Sequence, residues 1–191
     1  MTANRAQSWA DLVDRTVELW EVEPPLNFVD WMDNHFYLSG ESSSSQGPWK
    51  THSFQRGPSF AMTDLAVAIM IECKPSQVGA TKRTTALIGY EAAHRHRNCI
   101  SYNPTAEDSL DFSINHVGSM LRDCPTVSSK LLVPLEKQHS TNTHKRRIFK
   151  GATVWCRGGK TANAFQRLTA DTVIIEDFDR FDDDIRGREK G

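Results

Sequence analysis

Residues Leu65 to Arg97, LAVAIMIECKPSQVGATKRTTALIGYEAAHRHR, carry the pattern on which the fold turns. Leu65 to Cys73 is a continuous apolar run of strand length, the pattern of a strand buried on both faces of a parallel sheet. A short loop containing Pro75 and Gly79 follows. From Lys82 onward the sequence predicts a helix. Its end, His94 to Arg97, concentrates basic residues where they complement the negative pole of the helix dipole. No Cys, Asp or Glu at ligand spacing accompanies these histidines to argue for a metal.

Working outward, Asn98 to Thr105 (NCISYNPT) reads as a second strand. Thr105 is placed to cap a helix with Asp108 three residues on, and that helix runs to about Asp123, before Pro125. Arg146 to Gly159 (RRIFKGATVWCRGG) predicts a hairpin turning near Lys150 and Gly151, and Thr172 to Asp177 (TVIIED) a final buried strand ending in acid. Strand, helix, strand, helix is the signature of a parallel α/β sheet. No internal repeat is visible.

Upstream, SWADLVDRTVELW from Ser8 sets Trp9, Leu12, Val13, Val17 and Trp20 at helical spacing. Pro24 and Pro25 end that helix, and Asn27 to Leu38 reads as a second, weaker helical or irregular segment. Ser39 to Pro48 (SGESSSSQGP) has the composition of a linker. The expected organisation is therefore an N-terminal helical appendage with its linker over 1–47, and an α/β domain over 48–191.

The 191 residues suffice for one substantial core. A hydrophobic content of 38%, a charged content of 25% and a net charge of -1 are those of an ordinary globular chain, and they exclude a global polyanion-binding charge. The longest apolar run is too short to span a membrane, and the polar N-terminus is not signal-like, so the expected location is intracellular. Cys73, Cys99, Cys124 and Cys156 never form a C-x-x-C pair and are expected to be reduced thiols.

The loop itself has the outline G-x-x-x-x-G-K-[ST]. In that design backbone N–H groups and a helix N-terminus cradle phosphates, a lysine neutralises charge and a hydroxyl binds Mg²⁺. Here the window runs Lys74, Pro75, Ser76, Gln77, Val78, Gly79, Ala80, Thr81. Gly79 and Thr81 fit, whereas Ala80 stands at the lysine position and Lys74 at the first glycine. Losing the charge-assisted hydrogen bond forfeits roughly 1.5 to 3 kcal/mol unless Lys74 or Lys82 replaces it. A phosphate loop also needs acids at the end of a neighbouring strand, one for Mg²⁺ and one for the attacking water. Glu176, Asp177 and Asp179 stand after an apolar run. The strand over Asn98 to Tyr102 falls between the loop and these acids, which suits an ATPase of the additional-strand type. A plain strand-to-helix turn and a solvated acidic tail remain the alternatives at this point.

KPSQVGATK, YNPTAEDSLDF, MLRDCP, WCRGGKTANAFQRLTAD and FDRFDDDI stand in the order and spacing of one family. From about Trp49 to Ile185 the chain resembles the ATPase domain of lambda-type phage terminase large subunits, the DNA-packaging motor. The resemblance implies a three-layer P-loop NTPase fold with a mainly parallel sheet, ATP and Mg²⁺ as cofactors, and an early lysine, Lys74, serving the phosphates. It assigns Ser76, Gln77, Val78, Gly79, Ala80, Thr81 and Lys82 to the nucleotide, and Phe54 and Gln55 to the adenine. It gives Thr81 and Glu176 to the metal, and makes Glu176 and Asp177 the catalytic acids. Relatives carry Asp-Glu where this chain has Glu176-Asp177. The shorter Asp177 is expected to hold water on the order of 1 Å from the glutamate position, a displacement that costs about a hundredfold in rate.

The resemblance implies further partners: the small subunit through residues 8–20, double-stranded DNA and the portal in the full motor, with no membrane and with homo-oligomers only in the assembled motor. It also implies a chain truncated before the nuclease domain, acting in the bacterial host cytoplasm. The basic run His144 to Lys150 is read as the solvated face of a hairpin, with DNA phosphates as its other reading. Gly158 to Arg167 is read either as resembling a family signature near the active face or as a flexible loop between two strands, and Arg83, Arg157 and Arg167 as candidates for a catalytic arginine. Three functional readings stay open: an ATPase module of the motor; a degenerate prophage remnant acting as a non-catalytic interaction module; and a helicase-like nucleic-acid ATPase.

Overall fold

The computed structural model describes residues 25–40, 45–132, 142–166 and 168–182. The helix expected over 8–20, Arg167, and the acids Asp183 and Asp184 lie outside them. Helix α1 (Phe28–His35) is followed by a two-residue strand β1 (Tyr37–Leu38), its partner β2 (Gly47–Pro48) and helix α2 (Ser53–Thr63). The long helix α3 (Ala80–Ala93) leads into β3 (Cys99–Asn103) and α4 (Ala106–Phe112). The latter passes through one π-helical stretch (Ser113–Gly118) into α5 (Ser119–Asp123), with a short α6 (Pro125–Ser128) behind it. Strands β4 (Arg146–Phe149), β5 (Ala152–Gly158) and β6 (Thr172–Ile175) complete the described elements.

The main sheet is ordered β4-β5-β3-β6, with β5, β3 and β6 parallel and β4 antiparallel to β5. The chain is thus a mixed α/β fold on a mostly parallel sheet. Asn98 aligns the start of its three parallel strands. Its carbonyl accepts from Asp171 and Thr172 N–H, its amide oxygen accepts from Thr153 N–H, and its own N–H donates to Asp171 Oδ2. The hairpin turns at Gly151, whose φ of 87° suits glycine. Thr105 caps α4 by accepting from Asp108 N–H at 3.0 Å.

α3 is buried on nearly all sides, as befits a helix at the centre of a fold. Against it pack Phe28, Val29, Trp31 and Met32 of α1, with Trp31 and Phe28 both in ring contact with Tyr90. Aromatic pairs of this kind add about 0.5–1.5 kcal/mol beyond burial. The helix before residue 48 therefore shares the core of the residues after it. Gly89 lets the elements approach: a Cβ there would meet Met120 Sδ at 2.8 Å and Trp31 at 3.3 Å. Among the described residues no helix is long and apolar enough to cross a membrane.

Three expectations are corrected. Leu65 to Cys73 is not a buried strand: it pairs with no strand among the described residues, and Leu65, Ile69 and Ile71 face solvent, Ile71 at 85% exposure. Asp64 bends its start, accepting from Ala66 N–H through its side chain and from Val67 N–H through its carbonyl. The rest lacks a neighbouring ladder, without which an apolar run does not become a sheet strand. Second, β6 is half-buried: Ile174 packs on the core while Val173 and Ile175 are exposed. Third, the basic run 144–150 is not one solvated face. Arg147 is buried, its guanidinium 3.4 Å from His144 Nδ1, and Phe149 lies in the core.

His94, from the basic stretch at the end of α3, accepts a hydrogen bond from Leu26 N–H. Arg95 and Arg97 both face the buried Glu91, at 3.1 and 3.6 Å.

Candidate functional site

The loop before α3 is shaped by two left-handed residues, Gln77 (φ 65°) and Gly79 (φ 76°). Gly79 is the N-cap of α3 and supplies no side-chain cap, so the helix's first N–H groups keep their capacity for an external acceptor. The loop is held from behind. Gln55 Nε2 donates to Val78 C=O at 2.9 Å while Gln55 Oε1 accepts from His52 N–H. Trp49 closes over Gly79, and a Cβ there would meet Trp49 at 3.3 Å and the Gln55 amide at 3.1 Å. Gln55 is thus buried against the loop backbone. Its neighbour Phe54 is exposed and stacked on His52.

Ala80, the first residue of α3, is buried, and its methyl offers no charge where the general motif has a lysine. Lys74, Pro75, Ser76 and Gln77 are exposed on the approach to the helix, and Val78 is half-buried. The half-buried Lys82 places its ammonium 3.2 Å from His116 Nδ1, and burial brings its pKa down to about 8. Arg83 is buried and ion-paired with Glu72, a residue of the segment that enters the loop. That partnership occupies one of the arginine candidates. Another, Arg157, donates to Ala164 C=O at 3.1 Å.

The acids arrive from the sheet. Glu176 follows β6, its N–H donating to Tyr102 C=O at 3.0 Å, and only 9% of it is exposed. Burial pushes its carboxyl above the usual glutamate range. A hydrogen bond from the Thr84 hydroxyl and the charge of Lys74 pull it down, while Asp177 and Glu72 push it up. Thr84 lies three residues after Thr81 and so on the same face of α3. Thr81 is half-buried, and its carbonyl accepts from the Thr85 hydroxyl at 2.8 Å. Asp177 takes a left-handed conformation (φ 49°), faces Arg180 at 3.5 Å and is half-exposed.

The structure thus brings Lys74, Thr84 and Glu176 into one electrostatic neighbourhood. Asn103 joins them from β3. The register pairs Tyr102 with Ile175, so the next step sets Asn103 beside Glu176 on the same sheet face. Asn103 is 5% exposed, and its Oδ1 has no hydrogen-bond partner among the described residues. Sequence reasoning did not single out Glu72, Thr84, Asn103 or His116. Thr84 was open to detection by its helical offset from Thr81; the others depend on long-range packing.

Among the described residues no three His, Cys, Asp or Glu side chains gather into a metal cluster. The oxygen donors here include the Glu176 carboxylate, Asn103 Oδ1 and the threonine hydroxyls of α3. Such a sparse set fits a hard divalent cation that keeps most of its coordination for phosphates and water.

Comparison with known proteins shows the family of the chain. Residues 43–191 match the family described as phage terminase large subunit gpA, ATPase domain. Two curated relatives are the terminase large subunits of Escherichia phage lambda, 32% identical over 163 residues, and of Enterobacteria phage P21, 31% identical over 163 residues. Each alignment covers 84% of this chain and 25% of the relative, so the chain spans about a quarter of the proteins it matches. No solved structure matches. With the family match covering most of its length, the chain belongs to the phage terminase large subunit family, in its ATPase domain.

Proposed function

We propose that this chain binds ATP with Mg²⁺ at the loop of residues 74–82 and serves as the nucleotide-binding module of a DNA-packaging motor. The observation that carries the reading is the convergence of Lys74 and Glu176. They come from distant segments of the sequence, yet the charge of one acts on the buried carboxyl of the other, next to an uncapped helix N-terminus. The α3 N–H groups and Lys74 would hold the phosphates, with Lys82 as a second cation. Thr81 and Glu176 would hold Mg²⁺, which supplies charge neutralisation on the phosphates when bound. Gln55 supports the loop, and the exposed Phe54 offers a surface for the adenine.

Asp177 is the candidate for orienting the attacking water, and its short side chain supports slow turnover. Coupling of hydrolysis to translocation of double-stranded DNA, with a small subunit and a portal as partners in the bacterial cytoplasm, follows from kinship with the terminase large subunits and belongs to the full-length motor. A second reading, a non-catalytic interaction module, draws support from the exposed apolar run Leu65 to Ile71 and from Val173 and Ile175.

Calorimetry with ATP and Mg²⁺ on the wild type and Lys74→Ala separates the two. Micromolar binding by the wild type, weakened about tenfold or more in the variant, supports the nucleotide module. Absence of binding by both supports the interaction module.

A further inference from the structure

The helix that runs from Ala106 to Asp123 does not keep one hydrogen-bond pattern: Ser113–Gly118 is π-helical, between α-helical stretches. A π turn adds a residue to the helix locally and rotates the side chains that follow, and such turns recur at functional positions. Here the turn carries His116. The ring packs against Phe112, with centroids 5.4 Å apart, and its Nδ1 lies 3.2 Å from Lys82 Nζ in the first turn of α3. An ammonium has only donors, so Nδ1 must be the acceptor and the ring neutral, with its proton on Nε2. The surroundings favour that state. Burial and the charge of Lys82 hold the ring's pKa down, against Asp111 on the same helix, which raises it.

The aliphatic stem of Lys82 is flexible, and an unrestrained lysine loses much rotamer freedom on meeting a ligand. A ring fixed by Phe112 and by the π turn removes part of that cost beforehand. We infer that His116 is a positioning residue: it accepts a hydrogen bond from Lys82 and so presents the ammonium at the start of α3 for an anionic phosphate. This rests on the proposal that the loop binds ATP, and it adds a contribution from outside the loop and acid segments.

The test is a double-mutant cycle read by calorimetry with Mg²⁺ and ATP on the whole chain, using wild type, Lys82→Ala, His116→Phe and the double variant. His116→Phe keeps an aromatic ring on Phe112 but has no acceptor. The expected result is a loss of about fivefold in affinity for His116→Phe, no further loss when it is added to Lys82→Ala, and retention within about twofold for His116→Asn, whose amide oxygen accepts in place of Nδ1. His116→Leu serves as the acceptor-free variant if His116→Phe does not fold. Wild-type affinity in the acceptor-free variant, or an equal loss with and without Lys82, overturns the inference and leaves the nucleotide site standing. Failure of the wild type to bind ATP overturns both.

Discussion

Glu72 and Arg83 form an ion pair that bridges the two sides of the loop, tying the segment that enters it to the helix that leaves it. Arg83 is 2% exposed, and Glu72 23%. Breaking such a pair costs more than the pair contributes, because a buried guanidinium is left uncompensated. Glu72→Gln is expected to lower stability by about 3 kcal/mol, at the lower end of the range for buried pairs since Glu72 meets some solvent. Urea unfolding at neutral pH checks it, and an unchanged midpoint would show that the pair has no structural role.

Gly79→Ala tests the loop. The left-handed conformation costs an L-residue about 1–2 kcal/mol, and the new methyl would press on Trp49 and the Gln55 amide. Destabilisation of that size is expected, together with weaker ATP binding as the Gln55 to Val78 hydrogen bond shifts. Equal stability and affinity in the variant would contradict the geometry.

Two other glycines differ in what surrounds them. At Gly158 a Cβ would run into the backbone of Thr105 and Ala106, where α4 begins; at Gly89 its nearest neighbour is the flexible thioether of Met120. Gly158→Ala is therefore expected to cost about 3 kcal/mol and Gly89→Ala about 1 kcal/mol, the two ends of the range for overpacking. Parallel denaturation curves should rank them in that order.

Glu176 gives a pH dependence of defined sign. Its pKa is raised in the folded chain, chiefly by burial, so the native state binds the proton more tightly than the unfolded state. Between the ordinary glutamate value and the raised one, stability falls as pH rises, and above the raised value the full cost of the buried charge remains. Glu176→Gln removes that cost. Its melting temperature should exceed that of the wild type at pH 8, with the gap closing toward pH 4. Mg²⁺ and ATP should reverse the order by stabilising the wild type alone. A gap that does not vary with pH would refute the assignment.

Much of this architecture could be read locally. Thr105 capping onto Asp108, the turn at Gly151 and the helix after Gly79 each depend on residues a few positions apart, and the structure has all three. The strand over Leu65 to Cys73 failed because its apolar pattern specifies a buried strand only if a neighbouring strand supplies hydrogen bonds, and no residue within the run reports on that neighbour. The same limit applies at the site. Lys74, Gly79 and Glu176 stood out by type and order, but the burial of Glu176, the partnership of Glu72 with Arg83 and the π turn that delivers His116 arise from packing between distant segments.

Asn98 holds the starting line of the sheet, and the parity of β6 follows from it. Side chains along a strand alternate between faces, so a shift of one residue exchanges every inward group for its neighbour. A slipped β6 would turn Ile174 away from the core and remove Glu176 from Thr84, offering the shorter Asp177 to α3 instead. The bonds from Asp171 and Thr172 to Asn98 thus decide, from the far end of the strand, which of two adjacent acids is delivered to the helix.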